Sequence, residues 1–461
     1  MNITGPITSF WEKWMAHQSF KKYLANTSWL FLEKGVRLVA GFVVGVLVAR
    51  HLGPEQFGQL SYVQSFVVLL ASVATLGLDD IVIRELVKNP ERRDLLLGTT
   101  FFLKIVGTIL LFGVLGLANR LTSNDAFTAM LIFLLASGIV FQIFNVIEFY
   151  FRAKVLSRFS VFANIISLSV FSLLQIVLVF KKAGVLAFIS AFVVQNCILA
   201  WGYLYFYRKQ GLSIWTWSFD KSLAKKLLKD SWPLILSGLV IMIHMRIDQV
   251  MIKKMLGIQN VGFYAVAVML SEAWYFIPII VSNSLFPAII SGKERGPVVY
   301  YERLEGLFFL LSWTALIIIL PVTFFSGPII HFFYGENFAP AAGVLSIHIW
   351  NVLFVFLGVA KGRYMMAENI QWLSSIYSSL GAVLNIWLNY LLIPSMGIQG
   401  AAWAALITQI MTAAVLPMFH ATDRKSVIIF LKSFFEWGAV KRLFTGNRLQ
   451  THLEKEPFNA N

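Results

Sequence analysis

The chain has 461 residues, room by length for about three soluble domains, yet 58% are hydrophobic and only 13% charged. So little charge, roughly half that of an average globular chain, cannot cover a soluble surface, and the composition reads as an all-α, polytopic membrane protein. The formal net charge of +15 is explained by basic cytoplasmic loops and implies no nucleic acid, while the single cysteine, Cys197, excludes a disulfide scaffold and Cys-rich metal or iron–sulfur chemistry.

Residues 1–26, with Lys13, Lys21 and Lys22, read as a cytoplasmic tail containing an amphipathic segment. The first apolar run begins near Ser28, is long enough to span, and lacks a small-residue cleavage site, so it reads as a true first helix. A bilayer core of about 30 Å takes about 20 apolar residues per helix. That window predicts twelve spans, near 27–49, 55–78, 94–117, 125–149, 159–180, 184–206, 231–252, 260–289, 304–326, 340–360, 371–393 and 398–420. Six fall in an N-lobe, 27–206, and six in a C-lobe, 231–420.

Ionisable residues at bilayer depth are costly and mark bundle interiors or water-filled paths. The first span carries Glu33, Lys34 and Arg37; Glu33 and Arg37, four apart, can pair on one face. The third span carries Lys104, which has no such same-face partner. Glu148, near an inner helix end, can snorkel.

Between the lobes, residues 207–230 form a basic, polar interval with Arg208, Lys209, Lys221, Lys225, Lys226 and Lys229. Its run KSLAKKLLKD puts Leu223, Leu227 and Leu228 on one helical face. An amphipathic linker lying on the anionic inner leaflet is the expectation.

The seventh span holds His244, Arg246 and Asp248. The eighth holds Glu272, with Trp274 and Tyr275 as candidate cavity aromatics beside it, and Pro278 and Pro287 as breaks; Pro321 interrupts the ninth. Asn385 and Asn389, one turn apart, are expected to bond neighbouring helices, and the small residues from Gly397 to Ala404 to permit close approach. Beyond 420, the run VIIFLKSFFEWGAVKRLF is broken by Lys432 and Glu436 and reads as an interfacial helix in a cytoplasmic tail, 421–461.

With the N-terminus inside, most of the 38 lysines and arginines fall on the cytoplasmic side. The outer side keeps only Arg50, Arg120, Lys181, Lys182, Lys253 and Lys254. Both termini are therefore expected in the cytoplasm.

The halves echo one another. Leu52-Gly53, Phe57-Gly58 and Tyr62 answer at constant spacing to Leu256-Gly257, Val261-Gly262 and Val266. Gly184, Ala187 and Ala191 answer to Gly397, Gly400 and Ala404. Six helices per half makes this a parallel repeat, a transporter architecture.

Arg37, Lys104 and Arg246, with Lys34, are candidates for a cationic interior that suits a diphosphate; the rival reading is a salt-bridge network that only fixes helix packing. Asp248 and Glu272 are candidate carboxylates for ion coupling, with Asp248 alternatively pairing with His244 or Arg246. There is no phosphate loop, zinc-protease motif or nucleophile elbow, and no loop large enough for a catalytic domain, so an enzyme is not expected and no cofactor or metal is implied.

The segments HLGPEQFGQLSYVQSFVVLLASVATLGLDD and RELVKNPERRDLLL resemble the opening of Wzx-type polysaccharide repeat-unit (O-antigen-like) flippases of the multidrug/oligosaccharidyl-lipid/polysaccharide exporter superfamily. RIDQVMI, GFYAVAVMLSEAWYFIP, FYGENFAPAAGVLSIHIW, LNYLLIP and GIQGAAWA extend the resemblance over nearly the whole chain. It implies two six-helix lobes around a central cavity in a bacterial inner membrane. It also implies flipping of undecaprenyl-diphosphate-linked glycan for lipopolysaccharide-type polymers by alternating access, coupled to H+ or Na+, alongside a polysaccharide polymerase and chain-length regulator. A multidrug exporter shares the fold, but cavity cations would repel its substrates. Lipid II flippases resemble this chain too, typically with fourteen spans. A pure scaffold protein of the envelope would need no buried charge.

Overall fold

In the computed structural model, which describes residues 18–434, all regular structure is helical. In chain order the first unit contains α1 (Gln18–Leu70), α2 (Ser72–Thr75), α3 (Asp79–Lys88), α4 (Arg93–Leu121), α5 (Ala126–Phe141), α6 (Val146–Ala153), α7 (Ser157–Phe180) and α8 (Val185–Lys209). Helix α9 (Lys221–Leu256) follows. Then come α10 (Ile258–Glu272), α11 (Phe276–Arg295), α12 (Pro297–Phe324), α13 (Ser326–Tyr334), α14 (Ala341–His348), α15 (Asn351–Ala367), α16 (Trp372–Met396), α17 (Ile398–Ile410) and α18 (Arg424–Ser433).

Among the described residues, 11 helical stretches are long and apolar enough to cross a membrane. Ten match one expected span each. The first, Leu32–Lys88, is 57 residues long, about 85 Å at helical rise, far more than one bilayer requires. Its path breaks at Gly53, which is non-helical at φ 69°, ψ 175°, so the stretch holds the two spans expected at 27–49 and 55–78. Gly257 adopts nearly the same conformation, φ 92°, ψ 171°, between α9 and α10. Only glycine enters this region freely. The sequence repeat thus has a backbone counterpart.

Side-chain distribution fits a lipid solvent. Ile166, Val170, Leu173 and Val177, spaced three or four apart on α7, are all exposed. In water such a stripe would be an aggregation liability; against acyl chains it needs no cover.

The chain divides into two compact units, Met1–Arg246 and Ile247–Asn461. In the first, α7 packs on α1 and α8, and α5 on α8; in the second, α16 packs on α17 and α12 on α11 and α15. The division falls inside α9 rather than in the 207–230 linker, because the start of α9 belongs to the first unit's core. Leu223, Ala224 and Leu227 are buried with Leu96, Leu97 and Tyr207. Asp220 caps the helix, its side chain accepting from the Leu223 N–H at 2.5 Å, while its own N–H donates to Thr99 Oγ1 at 3.1 Å. The leucine face expected to lie on the leaflet is therefore covered by protein, with Lys221, Lys225 and Lys229 exposed.

The amphipathic reading of the 1–26 tail rests on side chains outside the described residues, as do the two chain ends. The interfacial helix expected after 420 is described only as far as α18. Its Val427, Ile429 and Phe430 are buried rather than lipid-facing, since α18 packs on α12.

Candidate functional site

Each unit holds a polar cluster strung across several helices. In the first, Arg37 on α1 makes the same-face pair its spacing predicts: its guanidinium donates to Glu33 Oε1 at 2.8 Å. The same nitrogen reaches Asn164 Oδ1 on α7 at 3.1 Å. Asn164 donates to Tyr203 OH on α8 at 3.3 Å, and Tyr203 donates to Glu148 Oε2 on α6 at 3.1 Å. Glu33, Arg37, Asn164, Tyr203 and Glu148 thus form one chain of polar contacts. Glu148 does not snorkel; the buried Tyr203 hydroxyl draws it into the bundle. The Arg37 side chain nonetheless remains 50% exposed and Glu33 only 13%. Lys34, one residue from Glu33, is exposed.

Lys104 corrects the expectation. It is buried, not open, and pairs with Asp79 Oδ1 at 3.1 Å, with its ammonium 4.6 Å above the Phe149 ring. Asp79 lies just past the span expected at 55–78. The structure instead breaks the second span there: α1 ends at Leu70, a short α2 follows, Leu76 and Gly77 take positive φ, and Asp79 opens α3. Gly107 lets α4 approach this break, since a Cβ there would stand 2.7 Å from the Ala74 carbonyl. The signal available in sequence was the Gly77-Leu78-Asp79-Asp80 run. Lys104 is therefore neutralised within its own unit, while Arg246, on α9, is half-buried.

In the second unit Asp248 is 5% exposed. Its carboxylate accepts from Tyr264 OH at 2.7 Å and from Asn389 Nδ2 at 2.6 Å. Asn389 also donates to Asn385 Oδ1 within α16 at 3.1 Å, so of the two asparagines it is Asn389 that bridges to a neighbouring helix. On its other side α16 forms a tight pair with α17: a Cβ on Gly400 would lie 2.1 Å from the Leu392 carbonyl. Tyr264 stands edge-on to His348, whose Nδ1 is 2.6 Å from Ser271 Oγ. Sequence reading gave Tyr264, Ser271 and His348 no role.

Glu272 ends α10, and a turn through Ala273, Trp274 and Tyr275 separates it from α11. Glu272, Trp274 and Tyr275 are half-buried at this break. The second helix of each half is thus discontinuous at a comparable place, the arrangement in which transporters expose backbone groups to a ligand. Pro278 follows the C-lobe break by three residues.

Lys361 and Arg363, just past the span expected at 340–360, lie on α15. Lys361 is 6% exposed. It donates to the Thr412 carbonyl at 3.0 Å, where the last span forms a π-helical turn over Met411–Val415. Such a turn frees carbonyls from the helix ladder, and the lysine supplies their donor.

Among known proteins, the family described as polysaccharide biosynthesis protein matches residues 23–293. A probable low-salt glycan biosynthesis flippase, Agl15, of Haloferax volcanii is 26% identical over 190 residues, 40% of this chain and 39% of its own, so that match spans under half of the relative. The inward-facing structure of a multidrug resistance MATE family transporter of the MOP superfamily aligns with TM-score 0.67 at 15% identity, covering 88% of this chain and 95% of that one. The lipid II flippase MurJ, in an inward closed conformation, aligns with TM-score 0.68 at 16% identity, covering 89% and 91%. At such identities these two likenesses concern the fold.

Proposed function

The chain belongs to the polysaccharide biosynthesis protein family, and from that premise we propose that it flips lipid-linked oligosaccharide repeat units, carried on undecaprenyl diphosphate, from the inner to the outer leaflet of a bacterial plasma membrane by alternating access. The observation that carries the reading is Arg37: a guanidinium tied to one carboxylate and one amide yet half exposed. Exposed guanidinium donors in an apolar bundle suit phosphate oxygens, which a planar fork can engage two at a time. Lys34 and Arg246 add charge to the same task. A multidrug exporter of the same fold would meet its cationic substrates with repulsion at Arg37 and Lys34.

Lys104 is assigned to positioning the broken second span through Asp79, not to substrate. Asp248 is the favoured coupling carboxylate, because its two named donors are neutral groups that stabilise it when charged and release it when a proton or Na+ binds. Glu272, with Trp274 and Tyr275, lies at the second helix break and is assigned to the same step. Both termini are assigned to the cytoplasm, and a polymerase and chain-length regulator are assigned to the outer side, where the flippase delivers the glycan.

The test is reconstitution of the full chain in vesicles with a labelled lipid-linked repeat unit. Wild type moves label between leaflets and Arg37→Ala moves it at about a tenth of that rate or less. Equal movement by the two proteins would overturn the assignment.

A further inference from the structure

Arg363 is a cation whose partners are all neutral. Its guanidinium carbon lies 5.2 Å from the centre of the Phe286 ring. Its Nε faces Ser282 Oγ at 3.4 Å, Nη2 donates to Asn283 Oδ1, and Nη1 faces Met366 Sδ at 3.9 Å. The charged groups nearby are committed elsewhere. Glu368 accepts from Lys293 at 3.0 Å and from Tyr300 OH at 2.8 Å, and Lys361 is turned onto the Thr412 carbonyl. Among the described residues no carboxylate pairs with Arg363.

A guanidinium held this way carries an uncompensated charge at the end of an apolar span, which is costly unless an anion completes it. The surroundings look built for one. Phe286 fixes the plane of the fork, leaving its edge open. Asn283, exposed and accepting through Oδ1, keeps its two amide hydrogens for a ligand. Arg363 stands four residues before α15 ends at Ala367, the depth at which lipid phosphates meet a helix end.

We propose that Arg363, stacked on Phe286 and flanked by Asn283 and Ser282, is a binding subsite in the second unit for the phosphate ester of a lipid. Its transport role rests on the flippase reading, in which it holds the diphosphate of the substrate at one end of the path, separately from Arg37. The same chemistry is offered by an anionic membrane phospholipid.

The experiment measures binding of glycan-free undecaprenyl diphosphate, and of phosphatidylglycerol, to the purified full-length chain in a neutral detergent. It compares wild type with Arg363→Ala, Arg363→Lys and Asn283→Asp. The last places a carboxylate beside the guanidinium as a built-in competitor, and serves if Arg363→Ala folds poorly. Arg363→Ala and Asn283→Asp are expected to weaken binding by about tenfold or more, with Arg363→Lys between. Preference for the diphosphate over phosphatidylglycerol assigns the site to the transported lipid; equal affinity assigns it to bulk anionic lipid. Wild type that binds neither, or variants within about twofold of it, overturns the subsite. Vesicles that move no glycan would sink the flippase reading while leaving Arg363-dependent binding intact, so the two failures are distinguishable.

Discussion

Asn389 on α16 donates to Asp248 on α9 at 2.6 Å, and this bond has a counterpart of opposite charge. In the first unit Asn164 on α7 accepts from Arg37 on α1 at 3.1 Å. The four helices are the first and fifth spans of their respective halves. A duplicated scaffold thus links the same pair of helices through an asparagine in each half, at different heights, and the ion served is a guanidinium in one half and a carboxylate in the other. An anionic cargo and a coupling cation are the two ligands such a division suits.

Arg37→Ala should lower flipping by about tenfold or more, since charge-assisted hydrogen bonds are each worth roughly 1.5–3 kcal/mol. Arg37→Lys should recover part, because the charge returns without the fork. Asn164→Ala should cost less than either, as Glu33 still orients Arg37. Rates in vesicles of matched protein content check the order, and an Arg37→Lys rate below that of Arg37→Ala would contradict it.

Asp248→Asn should abolish the stimulation of flipping by an imposed proton or sodium gradient while leaving slow ungated movement. Asn389→Ala, which removes one donor to that carboxylate, should reduce stimulation without abolishing it. Glu272→Gln is the comparison. If it alone removes the gradient response, the coupling group lies at the helix break and not at Asp248.

The fold was legible because bilayer thickness and the 3.6-residue repeat constrain every span, so apolar windows located the helices well. The Gly53 and Gly257 spacing exposed the repeat for the same reason: one backbone conformation demands one residue type. The site was less legible. A sequence shows that Lys104 is charged at depth, but not that a break after Gly77 swings Asp79 beneath it. Likewise, Tyr264 and Asn389 are ordinary span residues until packing brings both to Asp248. Lys361 sits one residue past an expected span end, where basic side chains usually snorkel; a π-helical turn on another helix, invisible in sequence, gives it buried carbonyls to bind.

The Lys104–Asp79 pair should prove structural. Lys104→Met leaves Asp79 without its ammonium, and Asp79→Asn leaves the buried lysine without its carboxylate. Each should destabilise by about 1–3 kcal/mol, with the double variant losing less than the sum. Thermal unfolding of the four proteins gives the coupling. Additive losses would show that the pair contributes nothing beyond its separate members.

Backbone demands at the glycines predict a ranked stability series. Nothing lies within 4 Å of a Cβ built on Gly53 or Gly257, so alanine there would meet no clash. What it meets is a positive φ with ψ near extended, 69° and 175° at Gly53 and 92° and 171° at Gly257. Residues forced into such regions cost about 1–3 kcal/mol, and Gly53→Ala and Gly257→Ala should each lose about that much. Gly400 is the opposite case. It lies within α17, so its backbone accommodates alanine, but the new Cβ would stand 2.1 Å from the Leu392 carbonyl. Backbone cannot swing aside as a side chain does, and the α16–α17 pair must part. Gly400→Ala should therefore lower the melting temperature most and, because α16 also carries the Asn389 donor to Asp248, blunt the gradient response, whereas Gly53→Ala should lower stability alone. The melting series and the gradient assay on the same three variants check both halves. A Gly400→Ala protein as stable as Gly53→Ala would contradict the close packing of α16 on α17.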